Sequence, residues 1–306
     1  MIGDHPLWLV IPAFNAEATV SRAAAGVAHL PGGSRAVVVD DGSTDGTIGA
    51  ARAAGAEVLT QRNTGPSGAR NAALDAAAAA GADVLLLDAD DELVPGCWAA
   101  LESAARGSAE SRLVIGEFRR VRQGRAVDNG MERVSEVLAR MGGDPAAALL
   151  PDTPLSASGL LVPHATLADG IRFDPGLRTH EDRDFVFRAA GGRPLACTAG
   201  PVALKHEHDG QMTVSPGLAE VFLRDCLAFL ERHRASMPAG QDSRLGAALR
   251  HYLKRYAKAS VRLRRPIDRS LWARAVTQLH ELNERPGWRT ERYRLLATAA
   301  SVLRPW

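Results

Sequence analysis

At 306 residues, with 46% apolar and 24% charged side chains, the chain can bury a full core and holds one large domain plus an appendage. The net charge of +2 conceals an asymmetry: residues 244–306 carry 15 Lys or Arg against 4 Asp or Glu, so that +11 there faces −9 in everything before it. No window approaches the roughly 18 uninterrupted apolar residues of a membrane-crossing helix, and three scattered cysteines, Cys97, Cys197 and Cys226, exclude a disulfide framework.

The first half alternates short apolar runs with Ala-rich stretches. Leu7 to Ile11, Ala36 to Val39, Val58-Leu59 and Val84 to Leu87 suit strands buried on both faces of a parallel sheet. Helices are expected between them, over Glu17 to Ala28, Asp45 to Ala54, Gly65 to Ala80 and Pro95 to Ala105. This alternation predicts an α/β sheet with right-handed crossovers, which binds ligands beyond the carboxyl ends of its strands.

Polar residues collect at those ends. Pro12-Ala13-Phe14-Asn15 follows the first run, and Asp40-Asp41-Gly42-Ser43-Thr44-Asp45-Gly46 the second. Gln61 to Gly65 follows the third and Asp88-Ala89-Asp90-Asp91 the fourth. Asp45 reads equally as a helix N-cap, and Gly42 and Gly46 as turn residues. Capping does not explain three carboxylates packed at one strand terminus.

Further along, Arg112 to Val121 reads as a strand with a turn at Gln123 to Arg125, and Met131 to Met141 as a helix. A strand over Ser158 to Val162 precedes a short helix from His164, and Asp184 to Ala190 is helical with Phe185, Val186 and the Phe187 region inward. Val202 to Leu204 forms a last strand leading into Lys205-His206-Glu207-His208-Asp209-Gly210. From Gly217 the chain is mostly helix; Leu245, Leu249, Leu253 and Tyr256 recur at helical spacing with basic residues between them.

Taken in order, these motifs resemble the family 2 glycosyltransferases, whose catalytic domain has the GT-A fold. The matching strings are Ile11 to Asn15, Asp40 to Asp45, Gly68-Ala69-Arg70-Asn71, Asp88 to Asp91, Glu181-Asp182 and His208 to Thr213. The resemblance implies a catalytic domain over residues 1–215, with a basic helical region over 216–306. It further implies an inverting enzyme that moves a sugar from a nucleotide-sugar to a hydroxyl on a glycan, polysaccharide or lipid-linked intermediate.

The resemblance also assigns residues. Asp90 matches the metal-binding carboxylate and His208 the late histidine of the metal or pyrophosphate site, with His206 as its competitor. A divalent cation would neutralise the departing nucleotide diphosphate, and an imidazole ligand tilts the choice towards Mn²⁺ over Mg²⁺. Asp88 matches the position that contacts the ribose or supports the metal, Ala89 falls beside it in the nucleotide-sugar site, and Pro12, Phe14 and Asn15 form the floor of the nucleotide site. Asp41 matches the carboxylate set against uracil, whose imide N–H favours UDP. Arg70 matches a nucleotide-contacting arginine. On the acceptor side Asp182 matches the general base, with Glu181 orienting it or touching the acceptor. His180 stands where members of that family carry a small residue or Gly.

The basic C-terminal helices suit either a solvated bundle that packs on the catalytic domain or on a second subunit, or contact with an anionic membrane or a polyprenyl-diphosphate-linked acceptor. No recognition motif accompanies the charge, which argues against nucleic acid. Met1 to His5 lacks the features of a secretory signal, so a cytoplasmic location is expected, with peripheral placement at the inner face of the cell membrane. Two rivals stand beside this reading. A nucleotidyltransferase on a similar sheet would need a Gly-rich loop after Ile11, which is missing; the other rival is a non-catalytic nucleotide-sugar-binding module.

Overall fold

The computed structural model describes residues 5–108, 110–127, 133–150, 153–207, 216–237, 240–287, 290–292 and 294–295. Four apolar runs form the parallel strands β1 (Leu7–Ala13), β2 (Arg35–Asp40), β3 (Glu57–Thr60) and β4 (Asp83–Leu86). The helices α1 (Val20–Ala25), α2 (Thr47–Ala53) and α3 (Gly65–Ala79) make the crossovers. After β4 come β5 (Glu92–Leu93), α4 (Cys97–Gly107), and a hairpin of β6 (Val114–Arg122) with β7 (Arg125–Ala126). The set continues with α5 (Val134–Arg140), β8 (Leu161–Val162), α6 (His164–Leu167), α7 (Glu181–Ala190) and β9 (Ala196–His206).

Among the described residues these strands make one sheet in the order β3-β2-β1-β4-β8-β6-β9-β5, with β7 on β6. Parallel pairings carry most of the register; the antiparallel ones, β4–β8, β8–β6, β9–β5 and β6–β7, are each one or two residue pairs long. β1 is buried along nearly its whole length, as a strand between two helical layers must be. The helix expected over Glu17 to Ala28 is shorter, because α1 tightens into a 3-10 turn over Gly26–His29. Gly26 sits against Leu93 there; a Cβ on it would come within 3.2 Å of that side chain.

Register lines up the strand ends. Ala13 pairs with Asp40, and Asp40 with Thr60. One strand over, Val10 pairs with Leu86, and the Leu87 amide donates to the Val10 carbonyl at 3.0 Å. The loops after β1, β2, β3 and β4 therefore leave the sheet at one edge.

The chain forms two compact units. The first is the α/β unit, residues 1–148, 153–177 and 181–207. The second takes residues 208–306 together with Leu149–Asp152 and Arg178–His180. Its described helices are α8 (Ala219–His233), α9 (Asp242–Arg262) and α10 (Arg269–Glu281). Leu223, Leu227 and Leu230 of α8 pack with Leu245, Leu249, Leu253 and Tyr256 of α9, and with Leu271, Trp272 and Leu279 of α10. Asp268 caps α10 by accepting the amides of Ser270 and Leu271, and its own amide donates to the Tyr256 hydroxyl at 2.8 Å. Within this unit Asp225 of α8 accepts the amides of Arg178 (2.8 Å) and Thr179 (2.9 Å). No described helix is long and apolar enough to cross a membrane.

One backbone position governs the edge of the sheet beside β4. Gly159 has φ +89°, its amide donates to the Leu86 carbonyl at 2.8 Å, and its carbonyl accepts the Gly116 amide at 3.1 Å. A Cβ there would lie 2.7 Å from Val202 Cγ2. Gly159→Ala therefore combines left-handed strain with overpacking, each worth about 1–3 kcal/mol. We expect urea unfolding to show a loss of about 3 kcal/mol; a variant within about 0.5 kcal/mol of the parent would remove Gly159 as a geometric requirement.

Candidate active site

The loop after β2 is laced to the loop after β1. The Asn15 amide donates to Ser43 Oγ at 2.9 Å, and Asn15 Oδ1 accepts the Thr44 amide at 2.9 Å. Asp45 accepts the amides of Glu17 and of Thr47, the first residue of α2, while Glu17 accepts the Gly46 amide. Asp45 thus serves the start of α2 and the neighbouring loop at once. Asn15 takes φ 49°, a conformation Asn tolerates better than most side chains. Beside it Phe14 is 51% exposed, an uncovered aromatic face at the strand edge. Pro12, which the resemblance also assigns to the nucleotide floor, is the penultimate residue of β1, opposite Val39.

Asp41 is buried and ties the β2 loop to the entrance of α3. Its Oδ1 accepts Gln61 Nε2 at 2.7 Å and the Thr64 amide at 2.8 Å, and Oδ2 accepts the Gly65 amide at 2.8 Å. With two lone pairs per oxygen, Oδ2 keeps one acceptor position beyond these bonds.

Each residue of Gly68-Ala69-Arg70-Asn71 on α3 has a separate task. Gly68 accommodates Thr64, whose Oγ1 would sit 2.1 Å from an added Cβ. Ala69 is fully buried. Asn71 pairs with the backbone of Phe173 like a strand neighbour, donating to its carbonyl and accepting its amide, both at 2.8 Å. Arg70 is buried, with its guanidinium 5.3 Å from the Phe173 ring centroid. Phe173 in turn stacks on Phe185 of α7 at 4.1 Å.

Arg70 joins two acidic groups that are far apart in sequence. Nη2 donates to Asp88 Oδ1 at 2.7 Å and Nη1 to Glu181 Oε1 at 3.2 Å. On its other side Asp88 Oδ2 meets Lys205 Nζ at 3.2 Å. Lys205, near the end of β9, also reaches Asp91 Oδ2 at 3.2 Å and Ser156 Oγ at 3.1 Å. Glu181, Arg70, Asp88, Lys205 and Asp91 thus form a line of alternating charge drawn from four parts of the chain.

Within the acidic cluster, Asp88, Asp90 and Asp91 bring carboxylate oxygens within 4.8 Å of one another. This all-oxygen donor set suits a hard divalent cation. The three are not equivalent. Asp91 is fully buried: Oδ2 accepts Ser158 Oγ at 2.5 Å as well as Lys205, and Oδ1 accepts the His206 amide at 3.2 Å. Asp88 and Asp90 are half-buried, so they are the members with access to the crevice. Arg22 holds the Asp90 carbonyl at 2.7 Å, fixing the turn that aims the Asp90 side chain. Ala89 is buried between them.

His206 Nε2 lies 3.4 Å from Glu92 Oε2, so that ring is directed at the β5 strand. His208, with the rest of His208 to Thr213, lies outside the described residues.

Three acids, Glu181, Asp182 and Asp184, stand in the first turn of α7. Asp184 is fully buried and taken up by Arg188 at 2.6 and 2.8 Å. Glu181 belongs to Arg70. Asp182 is half-buried and accepts the Arg183 amide at 2.8 Å, and among the described residues no side chain donates to it. The residue before α7, His180, holds φ 65°, a conformation that favours the glycine or small residue of the resemblance. Its ring packs 5.5 Å from Phe229 and 5.4 Å from Tyr252 within the helical unit.

Lys205 is the site residue that sequence reading missed. The signal was faint: one lysine closing the last apolar run, in a sheet whose other strand ends carry acids.

Residues 8–148 match the family model of glycosyl transferase family 2. Over those residues, just under half of its length, the chain is similar to the family 2 glycosyltransferases. Succinoglycan biosynthesis protein ExoU of Rhizobium meliloti is 39% identical over 94 residues, which is 29% of this chain and 27% of that protein. The chain thus aligns with about a quarter of that relative. Among solved structures, S. aureus TarS 1-349 in complex with UDP-GlcNAc superposes with a TM-score of 0.55 at 19% identity, over 95% of this chain and 92% of that one. M. tuberculosis glucosyl-3-phosphoglycerate synthase gives 0.51 at 21% identity, over 78% and 83%. The fold shared with these structures is GT-A.

Electrostatics set the acids of this domain apart. Burial would raise Asp88, but Lys205 and Arg70 together hold it well below the usual carboxylate range. Burial pushes Asp91 up to about 6. Burial, reinforced by the charge of Asp182, pushes Glu181 up to about 7 despite its contact with Arg70, whose shorter bond goes to Asp88. Between pH about 4.5 and about 7 the native state therefore retains a proton on Glu181 that the unfolded chain has released. Stability must fall as pH rises through that window. Relative to Glu181→Gln, the parent should lose up to about 3 kcal/mol from pH 4 to pH 8 in urea unfolding. Parallel curves for the two proteins would show that Glu181 titrates normally.

Proposed function

We propose that the chain is an inverting glycosyltransferase that moves a sugar from a UDP-sugar to a hydroxyl of a glycan, polysaccharide or lipid-linked intermediate. The observation that carries this reading is the shared guanidinium of Arg70, which holds donor-side Asp88 and acceptor-side Glu181 together across 93 positions of sequence. A non-catalytic binding module has no need for the acceptor-side acids to be fixed to the donor side. A nucleotidyltransferase would require a phosphate-cradling glycine loop after β1, where this chain has Pro12-Ala13-Phe14.

The exposed Phe14 and the laced Asn15 offer the uracil ring an aromatic face and a rigid wall. The remaining acceptor position of Asp41 Oδ2 suits the uracil imide N–H, a donor that cytosine lacks. Asp88 serves the ribose. Asp182, to which no described side chain donates a hydrogen bond, takes the proton of the acceptor hydroxyl as it attacks. Glu181 and Arg70 keep the start of α7 in place beside Asp88. Direct displacement with one base and no enzyme nucleophile inverts the anomeric centre.

Charge explains why a cation belongs in this scheme. With every acid ionised, Asp88, Asp90, Asp91, Glu181 and Asp182 outnumber Arg70 and Lys205 by three charges, which would repel a diphosphate. A divalent cation held by Asp90 with Asp88 beside it would supply the neutralising charge on the departing diphosphate. An imidazole from His208 would favour Mn²⁺ over Mg²⁺. The excess of basic residues over 244–306 further supports a cytoplasmic enzyme in peripheral contact with an anionic membrane face.

Two measurements test the assignments. Calorimetric titration with UDP should show at least about tenfold tighter binding in Mn²⁺ than in chelator, and Asp90→Asn should erase that gain; metal-indifferent UDP binding removes Asp90 as a ligand. Asp182→Asn should leave UDP binding intact while lowering sugar transfer by about 10²–10⁴-fold. Retained turnover would exclude Asp182 as the base.

A further inference from the structure

Near its end β9 is held on both sides. Arg120 of β6 is the register partner of Lys205, and Glu92 of β5 that of Leu204. Ala203, two residues earlier and so on the same face as Lys205, is fully buried. The sheet therefore aims the Lys205 side chain. Its ammonium reaches Asp88 Oδ2 at 3.2 Å, Asp91 Oδ2 at 3.2 Å and Ser156 Oγ at 3.1 Å. A lysine ammonium has three donors, and here all three are accepted. Lys205 is thus a fixed part of the acidic cluster, unlike the mobile point charge that a surface lysine presents.

Asp88 and Asp91 are two of the three acids whose oxygens lie within 4.8 Å of one another. Both oxygens of Asp91 are engaged inside the frame: Oδ2 accepts Ser158 Oγ at 2.5 Å besides Lys205, and Oδ1 accepts the His206 amide at 3.2 Å. Asp88 already has the Arg70 guanidinium on Oδ1 at 2.7 Å. A lysine needed only to neutralise buried Asp91 would have no reason to share its ammonium with an acid that another cation serves. A divalent ion entering this cluster meets a positive charge bonded to two of its three carboxylates. Like charges at this range oppose each other, and each lone pair given to the ammonium is one fewer for the ion.

We propose that Lys205 is a positioning residue that serves as the resident cation of the cluster: it holds Asp88 and Asp91 in place and keeps the affinity for a free divalent ion low. Resting on the reading that Asp90 and Asp88 take such an ion in sugar transfer, this role adds two things to it. Asp91 is the counter-ion of Lys205 and not a metal ligand. Lys205 also leaves the cluster short of ligands until a nucleotide diphosphate brings its own oxygens, so ion and nucleotide are retained together. Without the ammonium, three carboxylates would face one another, and a free cation would be drawn in to separate them.

The test uses the full chain with Mn²⁺ alone as probe, its free and bound forms separated by electron paramagnetic resonance. Without nucleotide, Lys205→Met should bind Mn²⁺ at least about tenfold more tightly than the parent. Lys205→Arg, which keeps the charge, should stay within about threefold of the parent. Lys205→Gln keeps an N–H donor while losing the charge; it should follow Lys205→Met and replaces it if the methionine variant does not fold. Adding Asp90→Asn to either neutral variant should abolish the gain, which locates the ion at the cluster. The parent itself should bind Mn²⁺ at least about tenfold more weakly without UDP than with it. Equal or weaker Mn²⁺ binding by a folded neutral variant, a gain that Asp90→Asn leaves untouched, or a parent whose Mn²⁺ affinity ignores UDP overturns the proposal. Failure of the transferase reading shows separately, as absence of sugar transfer by the parent, which the comparison of free-Mn²⁺ affinities does not use.

Discussion

Arg70 is the constraint on which the candidate site depends. A buried guanidinium cannot shed its proton, so the protein must surround it with acceptors or lose several kcal/mol to desolvation. The chain meets this demand by bringing Asp88 from the end of β4 and Glu181 from the start of α7 to opposite arms of the same fork. Asp88 then carries a second cation, Lys205, which reaches Asp91. Removing any interior member would leave like charges facing each other in a low-dielectric setting, a far larger penalty than the net worth of an intact pair. Such a line contributes little net stability over apolar packing, but it holds α3, α7, β9 and the loop after β4 in one arrangement.

Apolar contacts and register make this arrangement possible. The parallel strands end in one row, so four loops open at one edge without any loop needing to be long. Phe173 sits between Arg70 and Phe185, while Asn71 zips the Phe173 backbone to α3. The motif around Arg70 is therefore as much about holding Phe173 as about presenting a cation. Beside β4, Gly159 allows a sharp approach to Gly116 and Val202 that brings Ser158 against Asp91 and the Asp88 amide. A hydroxyl that both donates to a carboxylate and accepts an amide fixes two acids of the cluster together.

What the sequence made legible follows from the physics of each element. The runs at Leu7, Ala36, Val58 and Val84 were readable because a strand covered on both faces must be continuously apolar. The strands β5 and β7 escaped because two-residue elements leave no period, and β9 proved longer than its apolar segment because its first half is irregular at Glu117 of β6. The acids of the site could be located as candidates, since carboxylates gathered at strand ends need an explanation. Their differences could not. Asp91 turned inward to Ser158, Asp184 to Arg188 and Asp41 to the entrance of α3, and nothing in their spacing distinguishes these from Asp88, Asp90 or Asp182. The segment Arg178–His180 groups with the helical unit through hydrogen bonds to Asp225, a partner nearly 50 residues away that no local pattern announces.

The two units handle positive charge in opposite ways, and the contrast accounts for the near-neutral total. In the α/β unit, cations are interleaved one by one with carboxylates, so that each stabilises the ionised form of its neighbours and the acids keep graded proton affinities: Asp88 low, Asp91 and Glu181 high. Graded acids suit chemistry, in which one group must stay charged while another exchanges a proton. On α9 basic residues instead recur along a single helix face, opposite the apolar face that packs on α8 and α10. A net charge of +2 is the sum of those two designs, which is why the total by itself reveals neither.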